Sequence, residues 1–234
     1  MNENKVFNIA VGDIGTNCWI YPTGDRPDAR RPAPCAVIDP GNDAGRIVAF
    51  LDQLNLFPSH ILLTHGHFDH VGAVAAVVRE YGRRNARTEE GPPKIAIHSA
   101  DSGYLGPGSV GAHNMTLGTM AGVTDYAGPE WEEAPPPDII LADGDGIGPF
   151  TVIHLPGHTP GSVAFLDAKA GFLFSGDTLF EAGFGRTDLA GGNEIQLLDS
   201  LKRLFAMDSG IKVYPGHGRP TSMGKEADRY PRIR

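Results

Sequence analysis

The run Thr64-His65-Gly66-His67-Phe68-Asp69-His70 decides how the rest of the chain is read. Three imidazoles and one carboxylate fall between positions 65 and 70. The run follows His60-Ile61-Leu62-Leu63, a buried-strand pattern, and precedes apolar residues at helical spacing over about Val71 to Tyr81. Imidazole is the commonest ligand for zinc-like ions, and alternate side chains of an extended loop point the same way. His65 and His67 can therefore chelate one ion, while Asp69 and His70 turn to another. The competing reading is a polar loop in which Asp69 caps the helix. Four polar groups packed so tightly behind a strand are costly unless they are solvated or coordinated, which favours the metal.

Two ions need more ligands, and three other strand ends offer them: Leu155-Pro156-Gly157-His158-Thr159-Pro160-Gly161, Phe174-Ser175-Gly176-Asp177-Thr178 and Tyr214-Pro215-Gly216-His217-Gly218. In each a glycine precedes the candidate ligand, which lets backbone approach a crowded centre. His60, His98 and His154 are expected to be packed or surface residues. His113, in a glycine-rich stretch, is a further candidate for contact with a substrate.

Outward from these loops, each half of the chain runs strands first and helices after. Val6 to Val11, Cys18 to Tyr21 and Cys35 to Ile38 are β-like runs separated by turn signals, and they read as antiparallel strands. Asn42 or Asp43 is placed to cap a helix carrying Ile47, Val48, Phe50, Leu51 and Leu54. Lys94 to Ile97 is a further strand, and the segment from Gly103 to Pro137 is Gly/Pro-rich with little periodicity. Tyr104 and Trp131 within it are candidates for a lid. In the second half Gly148 to Leu155, Ser162 to Asp167 and Gly171 to Phe174 again read as antiparallel strands. Asn193 or Glu194 opens a helix, and Ile211 to Tyr214 is the last strand. Two β-then-α halves imply two sheets packed face to face with helices outside, an α/β four-layer αββα sandwich whose chemistry sits on loops at one edge.

Composition narrows the function. The 234 residues suit one domain spanning 1–234, and 41% hydrophobic with 21% charged residues excludes a disordered or fibrous chain. A net charge of -8 and the lack of a basic block argue against nucleic acid as a partner. No apolar stretch has the roughly 20 residues of a membrane span, and the N-terminus has no secretory pattern, so we expect a cytoplasmic protein. Cys18 and Cys35 read as buried free thiols.

The H-x-H-x-D-H spacing of His65, His67, Asp69 and His70 resembles the metallo-β-lactamase superfamily over nearly the whole chain. That resemblance implies one metal on His65, His67 and His158, a second on Asp69, His70 and His217, and Asp177 bridging both. The ions implied are divalent, zinc first, with iron or manganese also accepted by such a ligand set. An aspartate at 177 excludes the classes with cysteine there, which argues against an antibiotic-degrading enzyme.

The run Gly183-Phe184-Gly185-Arg186-Thr187-Asp188 resembles the hydroxyacylglutathione hydrolase (glyoxalase II-like) branch, and Pro215-Gly216-His217-Gly218-Arg219-Pro220-Thr221 resembles its short single-domain bacterial members. The resemblance implies a small-molecule thioester substrate. Water held by two ions, its pKa lowered to about 7, attacks the thioester carbonyl, and Asp69 is the catalytic residue that orients it. Asp39 and Asp43 are candidate partners behind the ligand imidazoles. Arg186 and Asp188 are expected to pair with each other, and Phe180 and Phe184 to wall the pocket or pack beneath it. The rival implied by the same G-x-G-R-T-D run is a mononuclear-iron persulfide dioxygenase using His65, His158 and Asp177.

Overall fold

The computed structural model describes residues 5–24, 32–85, 90–121 and 132–233, with side chains omitted for 117–121. The chain starts with strands β1 (Phe7–Val11), β2 (Thr16–Pro22) and β3 (Ala33–Ile38), then helix α1 (Ala44–Leu54) and strand β4 (Leu56–Leu62). The short helix α2 (Phe68–Val71), helix α3 (Val74–Arg84) and strand β5 (Lys94–His98) follow. After them come a 3-10 turn (Ser99–Tyr104), helix α4 (Val110–Ala121) and strand β6 (Ile139–Leu141). The second half holds β7 (Gly146–Ile147), β8 (Phe150–His154), β9 (Val163–Asp167), β10 (Phe172–Gly176), the small hairpin β11 (Leu179–Phe180) and β12 (Gly183–Phe184), and α5 (Glu194–Phe205). It ends with β13 (Lys212–Pro215), β14 (Thr221–Ser222) and α6 (Met223–Arg229).

Strands β1 to β6 form one sheet in chain order, and β14-β13-β10-β9-β8-β7 form the other. The expected antiparallel pairing holds for β1-β2-β3 and for β8-β9-β10. From β3 onward the first sheet turns parallel, because a helix or a helix-bearing segment intervenes between successive strands and carries the chain back to its starting edge. Alternation along β2 shows how the layers are specified. Cys18 and Ile20 face a helix-side core with Ile47, Leu51 and Val74, whereas Trp19 and Tyr21 face the second sheet and meet Phe150, Phe165, Phe174 and Tyr214. A third core packs Leu173 and Val213 against Leu197, Leu201 and Leu204 of α5. Three cores between four layers make the αββα sandwich. Cys18 and Cys35 are buried free thiols, and burial pushes both pKa values up.

Three local expectations are corrected. The helix expected from Val71 to Tyr81 is broken into α2 and α3, because the Pro40–Gly41 backbone presses on the junction. Ala73 N–H donates to the Pro40 carbonyl, and a Cβ at Gly72 would lie 2.4 Å from the Gly41 oxygen. Asp43 precedes α1 but does not cap it with its side chain, which instead accepts from Gly12 N–H and from Arg46. The 103–137 segment contains helix α4, hidden in the sequence because apolar positions such as Val110, Ala112 and Met115 are spaced around the helix instead of forming a stripe. Trp131 lies outside the described residues. Among the described residues no helix is long and apolar enough to cross a membrane.

Candidate metal centre

Every residue expected as a ligand follows the C-terminal end of a strand, and these ends meet at one edge of the sandwich. The 65–70 run follows β4, His158 follows β8, Asp177 follows β10 and His217 follows β13. Their ligand atoms form three groups, each within 4.8 Å: His65, His67 and His158; His65, His70 and Asp177; and Asp69, His70 and His217. Asp177 stands between the groups, with Oδ1 3.4 Å from His70 Nε2 and Oδ2 3.4 Å from His217 Nε2 and 3.6 Å from His158 Nε2. Asp69 Oδ2 lies 3.2 Å from both His70 Nε2 and His217 Nε2.

The close approach of backbone that the glycines allow is visible at Gly216 and Gly176. A Cβ on Gly216 would lie 2.1 Å from Asp177 Oδ1 and 2.7 Å from His70 Cε1. Gly176 has φ +50°, and a Cβ there would lie 2.4 Å from Thr64 Oγ1.

The donor set fits metal ions on a specific ground. The Nε2 atoms of His65, His67, His70 and His158 and Oδ1 of Asp177 are buried without a hydrogen-bond partner, although such groups cost free energy when left unmade. For His65, His70 and His158 the opposite ring nitrogens explain why these atoms are lone-pair donors. His158 Nδ1–H donates to the Arg186 carbonyl at 2.7 Å, and His70 Nδ1 faces Asp39 Oδ2 at 2.9 Å. Thr64 O–H donates to Asp39 at 2.6 Å, which leaves its oxygen to accept from His65 Nδ1 at 3.1 Å. With Nδ1 protonated, each Nε2 presents a lone pair to the centre.

Electrostatics separate the two ends of the cluster. Burial, reinforced by the neighbouring imidazoles, holds His65 well below the ordinary histidine range and brings His67 down to about 3, so both are neutral at pH 7. Burial also opposes charge on His217 and His70. There Asp177 and Asp69 outweigh it, with Asp39 adding to the effect on His70; His217 rises to about 9 and His70 well above its ordinary value. The carboxyls of Asp69 and Asp177 are held down by the facing histidines against the upward effect of burial.

Asp39 acts both as the turn residue at φ 54° and as the partner behind the imidazoles, accepting from Thr64 N–H, Thr64 O–H and His70. Asp43 faces Gly12 and Arg46 and touches no ligand imidazole in these contacts. His113 hydrogen-bonds through Nε2 to the Tyr104 carbonyl and does not line the cavity. Tyr104 packs its ring against Gly66 and edge-on to His67, so it braces the ligand loop. His98 and His154 stack on each other with ring centroids 4.1 Å apart, away from the ligand cluster. Arg186 and Asp188 pair through two hydrogen bonds of 2.6 and 2.7 Å.

Two supports were not apparent from the sequence. Asn17 and Trp19 of β2 hold the His217 loop, with donors to the carbonyls of Pro215 and Gly218. Asp101, in the 3-10 turn, accepts from Gly66 N–H, Thr159 O–H and Gly161 N–H. A polar residue just after strand β5, in the same setting as the ligands, was the available signal for Asp101.

The cluster floors a cavity of about 510 Å³, walled by Ile14, Phe68, Phe180, Phe184 and Leu189 with Arg186 at one side. That volume lies within the range of ligand pockets.

Residues 29–217 match the family model of the metallo-beta-lactamase superfamily. The chain is 32% identical to the probable metallo-hydrolase YqgX of Bacillus subtilis over 97% of this chain and 96% of the relative. It is 31% identical to hydroxyacylglutathione hydrolase GloC of Haemophilus influenzae over 82% and 83%. Among solved structures it superposes on the BLEG-1 B3 metallo-beta-lactamase with TM-score 0.79, 32% identity and coverage of 98% and 99%. TTHA1623 in a di-iron-bound form gives TM-score 0.76, 33% identity and coverage of 94% and 96%. On the family match, the near full-length relatives and the shared sandwich, the chain belongs to the metallo-beta-lactamase superfamily.

Proposed function

We propose that the protein is a dinuclear metal-dependent hydrolase that cleaves thioesters of the hydroxyacylglutathione kind. The observation that carries this reading is the convergence of all seven candidate ligands in one cluster, five of which (His67, Asp69, His158, Asp177 and His217) line the cavity, with Asp177 facing histidines of both trios. His65, His67 and His158 would hold one cation, Asp69, His70 and His217 the other, and Asp177 both. Bound there, divalent cations acidify water to a pKa of about 7 and polarise a carbonyl oxygen. Asp69 lines the cavity, and its carboxylate is fixed by the Thr16 hydroxyl at 2.8 Å. It is placed to orient the attacking water and accept its proton. Phe180 and Phe184 offer apolar contact to the substrate's acyl or thiol portion. The likeness to GloC and the G-x-G-R-T-D run at 183–188 support the thioester over other carbonyl substrates.

A second reading, β-lactam hydrolysis, is favoured by the likeness to BLEG-1, which weighs against excluding it on Asp177 alone. One experiment ranks these readings: initial rates on S-D-lactoylglutathione, a chromogenic cephalosporin and glutathione persulfide with oxygen uptake, using protein of measured metal content. We expect turnover of the thioester that disappears in His67→Ala. Turnover of the cephalosporin alone, or oxygen uptake by protein with one iron per chain, would overturn the proposal.

A further inference from the structure

Asp101 belongs to the first half of the chain, at the end of β5, yet its carboxylate reaches the ligand loop of the second half. Oδ2 accepts from Gly66 N–H at 2.9 Å and from Thr159 O–H at 2.7 Å, and Oδ1 accepts from Gly161 N–H at 2.7 Å. The residue is 1% exposed. Gly66 separates His65 from His67, while Thr159 and Gly161 follow His158. The three bonds, two from backbone N–H groups and one from the Thr159 hydroxyl, therefore tie together the two segments that carry one histidine trio, and none of them reaches Asp69, His70 or His217. Asp39 instead serves both groups: it holds His70 directly and His65 through Thr64.

We propose that Asp101 is the positioning residue for the three-histidine metal position, clamping the His65-Gly66-His67 and His158 loops at the separation that one cation requires. This rests on the metal reading given above. The bonding pattern makes the carboxylate irreplaceable by its amide. An asparagine has one acceptor oxygen, and turning that oxygen either way leaves its NH2 facing a backbone N–H, of Gly66 or of Gly161. The approach of the Gly161 backbone is also close enough to require glycine: a Cβ there would lie 2.5 Å from Asp101 Oδ1. Partners standing behind metal ligands typically change affinity by about 10- to 100-fold when removed.

The test is Zn2+ titration of metal-free full-length protein against a chromophoric chelator, with His67→Ala and His217→Ala assigning the two binding steps. In Asp101→Asn the step lost in His67→Ala should weaken by about 10- to 100-fold, while the step lost in His217→Ala stays within about threefold. A Co2+ absorption spectrum recorded on the same variant should change only in the first step. If Asp101→Asn does not fold, Thr159→Val removes one of the three bonds and should weaken the same step selectively by a smaller factor. Equal weakening of both steps, or of neither, overturns the proposal. A wild-type protein that takes up a single equivalent overturns the two-metal reading instead. Asp101 then stands only if its asparagine variant weakens that one step.

Discussion

The two halves of the sandwich serve the centre in different ways. The first half delivers His65, His67, Asp69 and His70 from one continuous run, the loop after β4 and the short helix α2. The second half delivers His158, Asp177 and His217 singly, each from its own strand end. A contiguous run can be ordered by a few buried acceptors, and Asp39 and Asp101 do this from the first half. Singly placed ligands depend on the register of three strands and on crowding that permits only glycine, as at Gly216. The candidate centre is therefore built from both halves of the chain, and neither half holds all seven candidate ligands.

The sharpest way to break this comparison is to remove one ligand from each half. His67→Ala and Asp177→Asn should both lower kcat on the thioester by more than about 100-fold, beyond what partners behind ligands usually cost. Metal analysis and initial rates check this. If His67→Ala retained full activity while Asp177→Asn lost it, the contiguous run would not be working as a unit, and the smaller set His65, His158 and Asp177 would suffice.

The difference in electrostatics gives a second test. In metal-free protein His217 carries a proton up to pH about 9, and the raised His70 resists deprotonation, whereas His65 and His67 are already neutral at pH 6.5. Zn2+ binding at the Asp69, His70 and His217 position must displace that proton, so its apparent affinity should rise about tenfold per pH unit from 6.5 to 9 for each proton released. Binding at the three-histidine position should rise less steeply over that range, because His65 and His67 have no proton to release. The same shift contributes stability to the metal-free fold that is fully present below pH about 6.5 and lost as pH rises through about 9. Titrations at four pH values check the pattern, and parallel slopes for both steps would contradict it.

Asp39→Asn should lower the stability of the metal-free protein by about 1–3 kcal/mol, because a buried donor from Thr64 or His70 loses its acceptor. Urea unfolding measures it. The smallest effect belongs to the cavity wall. Phe184 is 39% exposed, so Phe184→Ala should raise KM by about three- to tenfold with kcat nearly unchanged. An equal loss in kcat would place the ring closer to the reacting atoms.

The same contrast explains what the sequence disclosed. The four candidate ligands of the contiguous run were legible as a cluster, and the candidates of the second half were legible because each follows a strand and a glycine; the structure brings all seven together. The sandwich followed from two β-then-α halves, whereas the two-faced burial of Cys18-Trp19-Ile20-Tyr21 emerged only with the packed layers. What escaped depends on contacts between distant segments. Asp101 is an ordinary acid in a short turn until Gly66, Thr159 and Gly161 surround it, and Trp19 reads as a strand residue and Asn17 as a polar neighbour of that strand until the His217 loop lies beside them. Helix α4 escaped because it has no apolar stripe, and the break at Gly72 because Gly41 presses on it from 31 positions away in the chain.

The most direct measurement is the initial rate of S-D-lactoylglutathione hydrolysis as metal-free protein is titrated with Zn2+. A dinuclear centre assembled by both halves gives little activity through the first equivalent and a steep rise to a plateau at two per chain. Full activity at one equivalent, or no hydrolysis with both positions filled, would contradict it.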